Sequence, residues 1–184
     1  SIYHVIVSPG RIWREPGDKG YSRASFPFTL TDNYEGISRN GLATFVYNEN
    51  EISKVAVQLT QENAPKGQQV QADFDGLVPV EYDPGNFDEA EEIVKSFDEE
   101  LSRRLTIHPW QKLGNGDALQ KLFNKELEET DVSIGAVVIE GEIYLQPPMT
   151  RSGVYPYPES LRTGVYSITK SLGGGLGMFY LAEK

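Results

Sequence analysis

The sequence predicts an α+β protein in which an N-terminal β-rich module and a linking helix precede a C-terminal helix, β-hairpin and helix. Three observations support this prediction. Short β-branched and aromatic runs separated by turn residues fill residues 1–84. Residues 85–116 contain one stretch with helical periodicity and then a loop with Pro and Gly. Residues 117–184 combine a helical pattern, a short β-branched pair of runs and a glycine-rich end. We therefore expect three regions with these boundaries.

The β-rich module contains six candidate strands, each followed by residues that favour turns. The candidates are Tyr3–Val7, Ser25–Leu30, Ala43–Tyr47, Lys54–Thr60, Gln69–Phe74 and Leu77–Tyr82. Strands of this length and spacing are typical of a sandwich or a small barrel. The clearest predicted hairpins are VYNENEISKVAV and FDGLVPVEY.

Two features of this module have both a ligand-binding and a structural interpretation. Its aromatic residues would form a binding face if they lay together, although aromatic residues in strands are more often core. They are Trp13, Tyr21, Phe26, Phe28 and Tyr34. The string Asp73-Phe74-Asp75-Gly76 is similar to part of a calcium loop but lacks the further ligands and the bidentate Glu that such loops need. We interpret it as a hairpin turn.

The linking helix is predicted over Phe87–Leu105, where four apolar side chains lie on one stripe. They are Ile93, Val94, Phe97 and Leu101. Acidic residues come early and Arg103 and Arg104 come late, which complements the helix dipole. A solvated first turn explains the acidic run better than a metal cluster does.

Composition excludes several classes of function. The net charge of −10 argues against a nucleic-acid partner, because phosphate contacts need clustered Lys and Arg. No apolar run is long enough for a membrane span. The chain has no Cys, and its two histidines, His4 and His108, lie far apart in the sequence. We therefore expect neither a metal site nor a cofactor.

The C-terminal region leads to one Ser-x-x-Lys pattern. A helix is predicted over Asp117–Glu129, and Val132–Ile139 and Ile143–Leu145 form a hairpin around Glu140-Gly141-Glu142. A segment with four prolines then precedes Ser167 and Lys170.

Ser167 and Lys170 have the spacing of an activated nucleophile. Helical residues three apart lie on one face, so the amine can reach the hydroxyl. A lysine serves as the base when burial disfavours its charged form. Free amides at the start of the helix would stabilise a tetrahedral oxyanion. A lone Ser-x-x-Lys also arises by chance, so the preceding helix and hairpin provide the support for a catalytic interpretation.

The string Val165-Tyr166-Ser167-Ile168-Thr169-Lys170-Ser171-Leu172 resembles the first active-site motif of the serine β-lactamase and penicillin-binding-protein superfamily. Within that superfamily the string is most similar to the esterase and 6-aminohexanoate-dimer hydrolase branch. The resemblance covers residues 117–184. It implies a β-lactamase-like α/β domain, with Ser167 as nucleophile and Lys170 as general base. It also implies a small-molecule acyl substrate. Members are often exported, which makes a periplasmic or secreted location an expectation. Tyr144 and Tyr166 are interpreted as packing residues.

The resemblance is incomplete, because the superfamily's second and third motifs are not found after Lys170. We therefore expect a piece of a longer polypeptide, or a site that a second chain completes. Two alternatives remain open: a non-catalytic binding or sensor protein on the same scaffold, and a complete α+β interaction protein with an accidental Ser-x-x-Lys. The glycines after Leu172 predict close packing of neighbouring elements on that helix.

Overall fold

A computed structural model describes residues 3–32, 37–62, 74–85, 87–114, 116–123, 125–128 and 132–184. Within these ranges the protein is a strand-rich, mixed α+β structure. Its strands are β1 (Tyr3–Val7), β2 (Arg11–Trp13), β3 (Ser22–Asp32), β4 (Ser38–Tyr47), β5 (Val55–Thr60), β6 (Phe74–Val78), β7 (Ile107–Pro109), β8 (Ala136–Ile139), β9 (Glu142–Leu145), β10 (Met149–Thr150) and β11 (Gly153–Val154). Its α-helices are α1 (Ala90–Arg103), α2 (Gly116–Phe123) and α3 (Ile168–Ala182).

The largest sheet is antiparallel and has the strand order β1-β3-β4-β5-β6, with β2 also paired to β3. It is open, since β1 and β6 lie at opposite ends of this order. The predicted barrel-like closure is therefore wrong for the described strands. The predicted hairpin of β4 and β5 is confirmed. The predicted turn at Asp75-Gly76 is wrong, because both residues lie inside β6 and pair with β5.

The edge of the sheet is interrupted at Ser8-Pro9-Gly10, between β1 and β2. The Ser8 N–H donates to the Pro27 carbonyl at 3.0 Å, which continues the ladder across the gap. Pro27 itself has no N–H to offer a neighbouring strand, so it suits a position beside an interruption. A Cβ on Gly10 would lie 2.0 Å from the Ser25 carbonyl oxygen. The close approach of two backbones therefore explains the glycine.

The two faces of this sheet differ in chemistry, because side chains alternate along each strand. One face is polar and buried, and it includes Ser25, Thr29 and Asn40. The opposite face carries a row of contacting aromatic rings. That row consists of Phe28, Phe26, Phe45 and Tyr47. Apolar side chains on the aromatic face stay exposed at the edge, for example Val5 at 61% and Val7 at 63%.

Residues 155–162, which we name the strap, cross the polar face. The Tyr155 hydroxyl donates to the Gly41 carbonyl at 2.9 Å, and the Tyr157 hydroxyl donates to the Ser25 carbonyl at 2.9 Å. The strap is therefore held against the polar face by side-chain to backbone hydrogen bonds. It also links the first and third predicted regions, whose boundaries at residues 84 and 116 stay a prediction.

A second sheet has the order β7-β9-β8. Its β8–β9 hairpin confirms the hairpin predicted for residues 132–145, although β8 begins later than predicted, at Ala136, and β9 begins one residue earlier, at Glu142. Glu140 and Gly141 connect them with φ values of 52° and 82°. Two consecutive positive values are typical of the tight hairpin turn that follows the twist of the strands. β7 pairs with β9 in parallel, a contact that no local pattern predicted.

The helices contribute little buried surface. α1 confirms the predicted linking helix, yet Ile93 and Val94 on its apolar stripe are 55% and 60% exposed. α2 is shorter than the predicted helix. α3 has no buried residue, and a Cβ on Gly173 or Gly174 would meet nothing within 4 Å. The predicted close packing on these glycines is therefore not found among the described residues. Each described helix is too short or too polar to cross a bilayer.

Candidate functional site

Ser167 and Lys170 meet at the start of α3. Ser167 is the residue immediately before the helix, and the Lys170 Nζ donates to its Oγ at 3.0 Å. One helical turn separates the two side chains, which is the geometry expected of the Ser-x-x-Lys spacing. The structure thus brings together the two residues predicted to act as nucleophile and base, while those roles stay predictions.

The residue before Ser167 has a strained backbone. Tyr166 has a φ of 41°, in the left-handed region that large side chains rarely adopt. Such a conformation costs about 1–3 kcal/mol, and strained residues of this kind cluster at active sites and ligand clamps. Ser167 follows Tyr166 directly and is the last residue before α3.

The first amides of α3 are already engaged. The N–H groups of Ile168, Thr169 and Lys170 donate to the carbonyls of Val165, Tyr166 and Ser167, at 2.9, 3.2 and 3.0 Å. The expectation that these amides are free for an oxyanion is therefore wrong. In the part of the chain that the structure describes, the N–H of Ser167 itself has no acceptor. That N–H is the available donor beside the hydroxyl.

The surroundings of the pair are open. Both Ser167 and Lys170 are exposed, so the burial expected of a lysine base is not found among the described residues. Among the described side chains, Lys170 alone forms a hydrogen bond with Ser167 Oγ. No second group that could protonate a leaving group contacts the hydroxyl in these ranges. The pair can therefore supply a nucleophile and a base, and further groups are needed for a full catalytic cycle.

A second polar cluster lies on the β7–β9 pair. The Tyr144 hydroxyl donates to Glu142 Oε2 at 3.0 Å, and His108 Nε2 lies 3.4 Å from the same oxygen. The His108 and Tyr144 rings lie 5.4 Å apart. The hydrogen bond from Tyr144, followed by the contact with His108, lowers the pKa of the Glu142 carboxyl. The same carboxylate raises the pKa of the Tyr144 hydroxyl.

Sequence reasoning missed this cluster, since Tyr144 was interpreted as a packing residue. The parallel register sets His108 opposite Tyr144, and residues so distant in sequence give no local signal of pairing. Alternation along the short strand from Glu142 to Tyr144 was the one available clue, because residues two apart lie on one face of a strand.

The other predicted ligand features are dispersed. Within the described ranges, no three His, Asp or Glu side chains lie close enough together to hold a metal ion. The proposed aromatic face is divided, because the register places Trp13 on the opposite face from Phe26 and Phe28. Asp73 and Tyr34 lie outside the described residues.

Comparisons of the chain with family models, with curated proteins and with solved structures gave no match.

Proposed function

We propose that this chain carries the nucleophile of a serine hydrolase of the β-lactamase and penicillin-binding type. The reaction is acyl transfer to water, through an acyl group on Ser167, from an ester, an amide or a β-lactam. The hydrogen bond from Lys170 Nζ to Ser167 Oγ carries the proposal. The strained Tyr166 backbone next to it adds support, because such strain is typical of functional sites.

Ser167 and Lys170 have complementary tasks in this chemistry. The Ser167 oxygen attacks the substrate carbonyl carbon, and its proton passes to the neutral amine of Lys170. The tetrahedral oxygen that results accepts a hydrogen bond from the N–H of Ser167. The carbonyl re-forms as the bond to the leaving group breaks, a proton donor outside the pair protonates that group, and an ester on Ser167 remains. Water then attacks the ester and gives a proton to the same outside group, the acid is released, and Lys170 returns its proton to the Ser167 oxygen.

The proposal includes a completing segment that supplies the groups Ser167 lacks. It would provide the proton donor for the leaving group and a second donor for the oxyanion, from further sequence or from a second chain. Apolar side chains of α3 offer a surface for it, since Leu176 and Phe179 are 66% and 72% exposed.

Covalent labelling tests this proposal. The full-length protein is incubated separately with a fluorescent fluorophosphonate and a fluorescent penicillin, and the labelled peptide is identified by mass spectrometry. We expect a label on Ser167 that Ser167→Ala abolishes. Ser171→Ala, a change at the exposed serine about one helical turn later, should retain it. An unlabelled Ser167 together with no ester hydrolysis would contradict the proposal.

A binding function has its own support. A cavity of about 170 Å³ lies between the polar sheet face and residues 150–156. Its lining is uncharged and includes Gln58 and Ser152, whose side chains are exposed. Such a lining suits a small neutral hydroxylated molecule. Saturation-transfer NMR with neutral monosaccharides tests this alternative; binding that survives Ser167→Ala, with no turnover by the unaltered protein, would favour it.

A further inference from the structure

We infer that Asn40 is a positioning residue for Ser167, so that the N-terminal sheet is part of the reactive unit rather than a separate recognition module. The inference rests on the proposed function. Asn40 lies in the middle of the sheet and acts through the backbone of Arg162, at the end of the strap. Five positions along the chain separate Arg162 from Ser167.

Asn40 pairs with Arg162 as a neighbouring strand would. Its Oδ1 accepts a hydrogen bond from the Arg162 N–H at 2.9 Å, and its Nδ2 donates to the Arg162 carbonyl at 2.8 Å. Asn40 is 1% exposed, so both bonds are shielded from water in the folded protein. The Thr29 hydroxyl also donates to Asn40 Oδ1 at 3.3 Å, which helps to orient the carboxamide.

Other contacts fix the strap in the same place. The Arg162 guanidinium donates to Ser8 Oγ at 3.1 Å, beside the interruption in the edge of the sheet. Earlier in the strap, Tyr157 donates to the carbonyl of Ser25. The strap is therefore attached to the sheet at several points, and Asn40 satisfies both backbone groups of one strap residue, Arg162.

This attachment limits where Ser167 can lie. The five residue steps from Arg162 to Ser167 can span at most about 17 Å. α3 buries none of its residues against the described part of the chain, so its packing does not set the place of the hydroxyl. Among the described contacts, those between strap and sheet are therefore the ones that hold Ser167 near the rest of the protein.

Asn40→Ala tests the inference in the full-length protein. Because both backbone groups of Arg162 lose their partner, the segment that carries Ser167 should become mobile. We expect the maximal rate constant for fluorophosphonate labelling of Ser167 to fall at least tenfold. The probe concentration for half-maximal rate should change less than threefold. All assays are run well below the melting temperature of each variant.

Two further variants separate positioning from general stability. Ser22→Ala is the matched control, because Ser22 is a buried polar residue of β3 that bonds Arg14 rather than the strap. We expect its labelling rate to stay within twofold of the unaltered protein. Asn40→Leu removes both hydrogen bonds to Arg162 while it fills the volume of the carboxamide, so it avoids the cavity that alanine leaves. It should lower the rate as Asn40→Ala does, and it serves if Asn40→Ala does not fold.

Amide hydrogen exchange at residues 163–170 gives a second measurement, which does not depend on the reactivity of Ser167. Asn40→Ala should speed exchange there at least tenfold, and Ser22→Ala should leave it unchanged. Normal labelling and normal exchange in Asn40→Ala would overturn the inference while the proposed function stands. If the unaltered protein is neither labelled on Ser167 nor able to hydrolyse an ester, the proposed function fails and the catalytic part of this inference fails with it; exchange still decides whether Asn40 holds the segment.

Discussion

The Tyr155 hydroxyl donates to the backbone carbonyl of Gly41 at 2.9 Å, across 114 positions of sequence. Tyr155 is 5% exposed, so this hydrogen bond lies inside the contact between strap and sheet. Removing the hydroxyl leaves the buried carbonyl without that donor. The change in the free energy of unfolding when this hydroxyl is removed therefore measures how much the hydrogen bond contributes to holding the strap on the sheet.

We expect Tyr155→Phe to lower the free energy of unfolding by about 1–2 kcal/mol, because a buried acceptor loses its partner while the ring is kept. Urea denaturation of the full-length protein measures this change. Tyr180→Phe is the matched control, since Tyr180 is 59% exposed. It should change the free energy by less than about 0.5 kcal/mol. Equal effects of the two substitutions would show that the buried hydrogen bond has no special importance.

The same residue predicts a loss of stability at high pH. Burial raises the pKa of the Tyr155 hydroxyl from 10.0 to about 12. Between these values the unfolded chain releases the phenol proton and the folded protein retains it, so unfolding becomes more favourable as pH rises. This contribution to stability is complete below pH 10 and is lost as the pH rises to about 12.

Denaturation curves at intervals from pH 9 to 12 test this prediction. The unaltered protein should lose stability more steeply above pH 10 than Tyr155→Phe does. Parallel curves for the two proteins would mean that Tyr155 ionises in the fold as it does in water.

The polar cluster on β9 predicts a change in the titration of one carboxyl. Tyr144→Phe removes the hydrogen bond that contributes most to the lowered pKa of Glu142, so that pKa should rise toward its usual value. Carbon-detected NMR of the side-chain carboxyls measures it. The pKa of Glu100, which a hydrogen bond from Arg104 lowers, is the internal reference and should not move. An unchanged pKa of the Glu142 carboxyl in Tyr144→Phe would show that this hydrogen bond does not cause the lowered pKa.

The interrupted sheet edge predicts different effects for two glycines. Gly10→Ala places a Cβ 2.0 Å from a carbonyl oxygen of β3, so the edge must move and stability should fall by about 1–3 kcal/mol or more. Gly17→Ala meets nothing within 4 Å and should be close to neutral. Thermal melting of the two variants side by side tests this prediction. A melting temperature of Gly10→Ala equal to that of Gly17→Ala would contradict the close approach of the backbones.

Local patterns predicted the elements that local interactions form. The β8–β9 hairpin follows from β-branched residues around Glu140-Gly141, and α1 follows from its apolar stripe. The Ser167–Lys170 contact was predictable for the same reason, because it depends only on spacing in one helix. The positive φ of Tyr166 could not be predicted from the sequence, because tyrosine does not favour the left-handed region.

Contacts between distant segments were beyond local reasoning. The strap lies on the sheet because Asn40 and Tyr155 meet groups more than a hundred positions away. The parallel pairing of β7 with β9, which brings His108 next to Tyr144 in the polar cluster, is also a contact between segments that are distant in the sequence. Sequence periodicity reports which face of an element is apolar, and it does not report which element covers that face.

The central claim is that Ser167 forms an ester with the acyl group of a substrate and that Lys170 assists by accepting its proton. Rapid quenching of the full-length protein with an activated ester, followed by peptide mapping, measures the acyl group on Ser167 directly. We predict an adduct on Ser167 that forms at least 100-fold more slowly in Lys170→Met and at the unaltered rate in Lys121→Met, a lysine of α2. An adduct on another residue, or equal rates in the two lysine variants, would contradict the account.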